Sequence, residues 1–344
     1  MKSFSGMNSR IGIDIGSSQV RICAGHKIIL SESSAAAVET ATDAVMGFGT
    51  DALVRYHSAP DKYRLEWPVK NGVMEDYYLT RDMLQFFMEK ALHRSVSRPS
   101  VMVSIPSGLS SVGRHALIDA VLHAGAQRAY LIQSAAAAVL GARMSLSLPE
   151  AVLSVVMGQD VTDCGLFTCG GVVTQRGIPF GGHSIDEGIR AYLQETYHMM
   201  IGSDEAEEIK RTMASVVKPQ EERSITVRGR RTSDGVEVVM ELSARELYPV
   251  MQMILMPAVA LVRKVIREAT PEMAADLIEN GMLLSGGSAR LSGMSDWFAH
   301  EIGISVAVPY TPEDTVALGC GIALEEYKKL SGLIESGDQY YGGI

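Results

Sequence analysis

The chain has 344 residues, long enough for two compact lobes that each bury a core of their own. Hydrophobic residues make up 47% and charged residues 21%, with no biased tract, which excludes a fibrous or predominantly disordered chain. Acidic side chains outnumber basic ones by 40 to 31, so affinity for nucleic-acid backbones has no electrostatic basis and no nucleic-acid partner is expected.

The N-terminal MKSFSGMNSR has no apolar core of signal-peptide length, so secretion is not expected. Residues 11–30, IGIDIGSSQVRICAGHKIIL, read as two β-type runs joined by a Gly-Ser-Ser turn. Such a turn points successive backbone N–H groups inward and makes a concave anion site, for which Asp14, Gly16, Ser17 and Ser18 are suited. Asp14 closes an apolar strand, where its carboxylate is placed to hold a hydrated divalent cation near a phosphate.

Helical periodicity follows over 80–92, 113–124, 135–142, 185–197, 203–214 and 244–268, alternating with strands at 101–106 and 129–134. That alternation predicts an α/β architecture with mixed sheets. At 152–180 the hairpin pattern returns, with a second glycine-bearing turn at Gly158, which suggests two similar lobes whose hairpin tips face one cleft. The charged stretch 219–242 reads as a hairpin about Ser233-Asp234-Gly235, with Arg228, Arg230 and Arg231 on a solvated edge. The longest apolar stretch, 250–262, contains Gln252 and Pro257 and is shorter than the roughly 20 residues a bilayer requires, so it is expected as a buried helix.

MLLSGGSARL at 282–291 runs an apolar strand into Gly286, Gly287 and Ser288 and then a predicted helix. Its flat, side-chain-free surface suits a purine or ribose, and a helix N-terminus there would favour phosphate. Cys23, Cys164, Cys169 and Cys320 form no CxxC pair and are expected as buried apolar residues in a reducing compartment.

Taken in order, the motifs resemble the MreB family of bacterial actins along nearly the whole chain. The matching segments are the Asp14–Gly16 hairpin, WPVKNGVMED (67–76), SIPSG (104–108) and HAGAQRAYLIQSAAAA (123–138). They continue with IPFGGHSIDEGI (178–189), IGSDEAEEIK (201–210), VRGRR (227–231), GMLLSGGSARL (281–291) and DTVALGCGIALE (314–325).

The resemblance implies the two-lobed fold of the actin, Hsp70 and sugar-kinase superfamily, with helices on both faces of mixed sheets and ATP or ADP with Mg2+ in the cleft. It implies a first domain over 1–141 with a small subdomain at 34–76, and a second over 142–320 with a subdomain at 183–247. A C-terminal helix over 321–334 would return to the first domain, leaving 335–344 as a tail. Residue by residue, it implies that Asp14, Gly16, Ser17 and Ser18 form the first phosphate loop, Gly158 and Thr162 belong to the second, and Gly182 follows at the next double glycine. Glu207 and Lys210 would contact ribose and base, and Gly286, Gly287 and Ser288 the adenosine.

The chain departs from the family where chemistry is concentrated. The family's second loop reads Asp-Ile-Gly-Gly-Gly-Thr-Thr, but here Val156 replaces the carboxylate and Gln159 and Asp160 replace two glycines. Its Glu-Glu-Pro is Gln133-Ser134-Ala135, and a glutamine orients water without accepting its proton. His183 replaces a further acidic residue. The expectation is nucleotide binding with weak or absent hydrolysis, Gln133 orienting water and Asp160 offering a substitute metal ligand.

The family's biology implies filaments of identical subunits at the inner face of the cytoplasmic membrane, with related paralogues and inner-membrane wall-synthesis proteins as partners and cell shape as the outcome. Met1, Phe4 and Met7 can share one face of a membrane-binding helix, Val96 is the one apolar residue of a short loop, and Tyr340 and Tyr341 offer a docking point in the tail. Two other readings share the superfamily: a non-polymerising nucleotide-binding regulator, and a small-molecule kinase or phosphatase. The latter needs a carboxylate for the acceptor hydroxyl, against which Val156 and Gln133 both count.

Overall fold

The computed structural model describes residues 10–93 and 98–337. The expectations placed on Met1, Phe4, Met7, Val96, Tyr340 and Tyr341 lie outside the described residues.

Two sheets organise the molecule, and they share one topology. In the first, Arg10–Ile15, Gln19–Ala24 and Lys27–Ser33 form an antiparallel meander. The expected second run of the opening hairpin is thus two strands, divided at Gly25, whose φ of 58° turns the chain. Arg10–Ile15 then pairs in parallel with Ser100–Ile105, and that strand in parallel with Arg128–Gln133. In the second, Val152–Met157, Thr162–Thr168 and Gly171–Ile178 form the meander, flanked in parallel by Met282–Ser285 and Val306–Ala307. Central strands such as SVMVSI are buried on both faces, as parallel strands covered by helices must be.

The six expected helices form with slightly shifted ends, three of them starting at a side-chain cap from Asp76, Ser110 or Ser243. Tyr77–Ala91 starts earlier than its apolar periodicity because the Asp76 carboxylate accepts the Leu79 N–H at 2.9 Å, and Ser110 caps Ser111–His123 in the same way. Ala244–Ile266 is long and apolar enough to cross a membrane, but Leu247, Met251, Leu255, Val259 and Val262 bury it in the core of the second sheet, as expected. Two three-stranded sheets stand apart from the main ones, one of Ala36–Glu39, Val45–Phe48 and Tyr63–Glu66, the other of Met199–Met200, Ser224–Arg231 and Glu237–Ser243. Cys23, Cys164 and Cys320 are buried; Cys169, expected with them, is exposed in a turn at φ 49°.

The expected helix over 321–334 is a correction. The helix Thr315–Glu325 ends there, and after a series of turns Ile334–Ser336 adds an antiparallel strand to Arg128–Gln133. Gly332 breaks helical periodicity, and Ile334 pairs with Ile132 on an edge that would otherwise stay open.

Between the sheets, Ser134–Gly141 crosses Thr315–Glu325 at backbone contact. A Cβ on Gly141 would lie 1.8 Å from the Thr315 carbonyl oxygen, and one on Gly319 would lie 1.7 Å from that of Ala137. Around this crossing, Met102 and Ile132 of the first sheet share a core with Val156, Phe167 and Leu283 of the second. Gly319→Ala is expected to destabilise by about 3 kcal/mol, the upper end of what overpacking costs, because a backbone oxygen cannot rotate aside. Gly171→Ala, whose nearest contact is the Thr168 carbonyl at 3.7 Å, is expected to stay within about 0.5 kcal/mol of wild type in the same denaturant titration.

Candidate functional site

The shared topology sets the two hairpin tips on opposite walls of a cavity of about 680 Å³, within the usual range for a small-molecule site. At the first tip the Gly16 N–H donates to the Gln19 carbonyl at 2.9 Å, closing a tight turn. The Ser34 hydroxyl donates to the Ser17 carbonyl at 2.6 Å and the Ser34 N–H to the Ser18 carbonyl at 3.0 Å. With those carbonyls held outward, Gly16, Ser17 and Ser18 line the cavity.

The second tip closes through Gly158 N–H to the Val161 carbonyl at 2.9 Å. Its own carbonyls face the next helix, where Gly182 N–H donates to Gly158 at 3.0 Å and His183 N–H to Gln159 at 2.7 Å. This packing explains the double glycine, since a Cβ on Gly181 would lie 2.5 Å from the Gln159 carbonyl oxygen. It also commits N–H groups at the start of Gly182–Tyr197 to protein acceptors.

The third wall is the glycine turn after Met282–Ser285. Gly286 holds φ 87° and a Cβ there would lie 2.2 Å from the Met157 carbonyl oxygen, whereas a Cβ on Gly287 meets nothing within 4 Å among the described residues. Gly287 is therefore an open, flat surface. The Ser288 hydroxyl donates to the Gly158 carbonyl at 3.2 Å and so joins this wall to the second tip. The helix expected here is a single 3-10 turn, Gly287–Arg290, too short to carry an N-terminal anion site.

Asp14, Gly158, Asp160, Gly182, Glu207 and Lys210 also line the cavity, but Thr162 and Gln133 do not. Thr162 is buried and donates its hydroxyl to the Phe180 carbonyl at 2.7 Å, a structural bond. Gln133 ends a strand with its side chain buried and its Oε1 without a partner among the described residues. Ser134, one residue on, turns to the cavity and donates to the Ile105 carbonyl at 3.0 Å. The placement of Gln133 beside a reacting water is therefore corrected, because the strand-to-helix junction presents the next residue instead.

Two further residues take roles that spacing alone does not give. Asp160 accepts the Asn71 N–H at 3.0 Å, linking the second tip to the loop of the WPVKNGVMED segment. Lys210 lies in a buried ion pair with Asp186 at 2.7 Å and donates to the Gly182 carbonyl at 3.0 Å. Burial pushes the Asp186 carboxyl above its ordinary range and the bond to Lys210 opposes that. Lys210 thus fastens Ser203–Met213 to Gly182–Tyr197 from the cavity wall, while Glu207 on the same helix is half-exposed at the cleft and pairs with Arg211 at 3.6 Å.

The sequence reading missed Asp163. It lines the cavity, it is buried, and its Oδ1 accepts the Ser107 N–H at 2.6 Å. Burial pushes its carboxyl up to about 7, opposed by the bonds from Ser107 and reinforced by the charge of Asp14. Burial likewise raises Asp14, opposed by the Ser104 hydroxyl at 2.6 Å and by Arg21. At the rim, Arg21 pairs with Asp314 at 3.1 Å and Arg290 grips Glu313 through two hydrogen bonds. These side chains are far apart in the chain, and the one available signal was Asp163 breaking the apolar run of an inner strand.

The family model for MreB/Mbl protein matches residues 8–332. The chain belongs to the MreB/Mbl family. It is 32% identical to the cell shape-determining protein MreB of Pasteurella multocida, covering 95% of this chain and 96% of that one. It is 30% identical to the cell shape-determining protein Mbl of Bacillus subtilis, covering 93% and 97%. The fold is actin-like: MreB5 of Spiroplasma citri bound to ADP superposes with a TM-score of 0.87 at 25% identity over 94% of this chain and 98% of that one. The form of MreB5 bound to AMPPNP gives 0.85 with the same coverage and identity. A MamK double helical filament gives 0.78 at 15% identity, over 93% and 99%, a likeness of fold alone.

The buried ion pair offers a test of its structural role. Lys210→Met leaves the Asp186 carboxylate buried with no cation, and urea unfolding is expected to show a loss of about 3–5 kcal/mol. Adding Asp186→Asn to that variant is expected to recover most of the loss.

Proposed function

We propose that this chain is an actin-like cytoskeletal protein that binds ATP or ADP with Mg2+, assembles into filaments at the inner face of the cytoplasmic membrane, and helps organise wall synthesis and cell shape. The observation that carries the reading is the convergence of two glycine-bearing tips and the open Gly286–Gly287 wall on one cavity. Phosphates would lie against the N–H groups of the first tip, and the adenosine against Gly287 with Glu207 at its edge. The carboxylate donors present suit a hard cation: Mg2+ would neutralise phosphate charge, with Asp14 holding it through water. MreB5 binding ADP and AMPPNP, and the names of the MreB and Mbl relatives, support nucleotide binding and a role in shape.

Turnover is slow in this reading. Gln133 is buried and does not line the cavity, and the hydroxyl of Ser134, which does, is a poor proton acceptor. Asp160, the expected substitute, has one oxygen occupied by Asn71. Head-to-tail contacts between identical subunits extend into an open filament when their rotation does not close a ring. Related paralogues and membrane-bound wall-synthesis proteins would be the further partners.

Electron microscopy of the purified protein is expected to show filaments with ATP and Mg2+, with phosphate released far more slowly than by an MreB that keeps its Glu-Glu-Pro. Protein that stays monomeric at high concentration would sink the cytoskeletal reading in favour of a regulator. In liposome co-sedimentation, the full chain is expected to pellet more than residues 11–344, since a filament multiplies weak anchors; equal pelleting removes the N-terminal anchor.

A further inference from the structure

Asp160 brings into the cleft a carboxylate that the glycine of the family pattern lacks, and a turn of the first lobe holds it there. Val69–Lys70 and Val73–Met74 are joined by the two residues Asn71 and Gly72, both at positive φ, 50° and 70°. Such a two-residue turn is rigid. The Asn71 N–H lies outside the hairpin's own ladder and donates to the Asp160 carboxylate at 3.0 Å. The packing around this bond is close, since a Cβ on Gly72 would lie 3.3 Å from a methyl group of Val161.

The second tip therefore has a direction. At its start the Ser288 hydroxyl binds the Gly158 carbonyl, on the side of the open Gly287 wall; two residues on, Asp160 is tied to the first lobe. A phosphate chain leaving an adenosine at Gly287 passes Gly158 first and reaches Asp160 last.

We infer that Asp160 makes this cleft selective for a nucleoside diphosphate, by fixing a carboxylate where the terminal phosphate of a triphosphate would lie. The inference rests on the nucleotide reading above and deepens it by naming the form of nucleotide that the site prefers.

The charges of the cavity favour this reading. Among the described residues, four of the five cationic side chains that line it are already in ion pairs: Arg21 with Asp314, Lys210 with Asp186, Arg211 with Glu207 and Arg290 with Glu313. Arg223 alone has no acidic partner among those residues. Asp14 and Asp163 face the same cavity as Asp160, so the cleft holds little uncommitted positive charge for a further phosphate.

Asp160 acts on a terminal phosphate in two ways. It repels the added charge, and it occupies the Asn71 N–H, a backbone donor at that end of the cleft. At about 4 Å even the dielectric of bulk water leaves a repulsion that weakens binding roughly fivefold, and a protein wall enlarges it. An aspartate free to turn away would relieve the strain, but the bond to Asn71 holds this one in place. Magnesium lessens the effect without removing it, because the magnesium complex of a triphosphate carries one more negative charge than that of a diphosphate. A diphosphate ends short of Asp160 and meets only the first tip.

The test is calorimetric titration of the full chain with ADP and with AMPPNP, each in Mg2+. ADP is expected to bind about tenfold more tightly than AMPPNP. Asp160→Asn removes the charge and keeps an oxygen for the Asn71 N–H. It is expected to strengthen AMPPNP binding by about five- to tenfold and to leave ADP within about twofold of wild type. Asp160→Gly, which restores the family residue and frees the Asn71 N–H, is expected to strengthen AMPPNP at least as much. Added salt is expected to narrow the wild-type difference, a readout of charge that needs no substitution. Wild-type affinities that are equal, or that favour AMPPNP as they would if Asp160 met the magnesium ion, overturn the inference and leave nucleotide binding standing. An Asp160→Asn variant that shifts both nucleotides alike does the same. Protein that binds neither nucleotide, as wild type and as both variants, overturns the nucleotide reading as well.

Discussion

Everything at the cleft depends on one crossing of two helices at backbone contact. Ser134–Gly141 and Thr315–Glu325 approach so closely that Gly141 and Gly319 have no room for a methyl group. The apolar core around the crossing draws from both sheets, so the crossing sets how one sheet faces the other. Each sheet presents the tip of its first hairpin at the same topological position, and the distance between the tips follows from that contact. A larger residue at either glycine would act on the cleft without touching it.

The second tip is held on three sides. Gly182 and His183 bind its carbonyls, Ser288 reaches the same Gly158 oxygen, and Asn71 binds the Asp160 carboxylate from the loop at 70–72. Gly72 follows in that loop with φ 70°, its Cα so close to Pro106 that a Cβ would lie 2.8 Å away. The replacement of family glycines by Gln159 and Asp160 therefore exchanges a tip bare of side chains for one bonded across the cleft. The anion at Asp160, which the sequence alone sets against a phosphate, is partly satisfied by a backbone donor.

How much of this was legible in the chain follows from the range of the interactions. The hairpins, the glycine wall and most helices are local features, written in turn residues and in apolar period, and they formed where those signals lie. Asp14, Gly16 and Gly287 were readable because each stands inside its own motif. Asp163 was not, because its place is set by the Ser107 N–H and by lying opposite Gly177, and register belongs to a pair of strands. Lys210 shows the converse. Spacing correctly put it on one helix face with Glu207, but its partner is Asp186 on another helix, and a buried charge takes the nearest opposite charge first. The terminal strand Ile334–Ser336 was misread for the same reason: an open sheet edge, invisible locally, overrode weak helical periodicity.

Asp314 shows the same competition at the cleft rim. It stands at the N-cap of Thr315–Glu325, where an aspartate ordinarily turns back to accept an N–H of the first turn, but its side chain makes no such bond. It pairs instead with Arg21 on the first hairpin, with both side chains three-quarters or more buried. An exposed ion pair contributes little, but one this sheltered is less screened by salt and fixes geometry as well as energy. A local cap worth about 1 kcal/mol is thus given up for a bond between the hairpin and the start of the very helix that crosses Ser134–Gly141. Local rules fail in this protein where a contact between distant segments is stronger, and those contacts gather around the cleft.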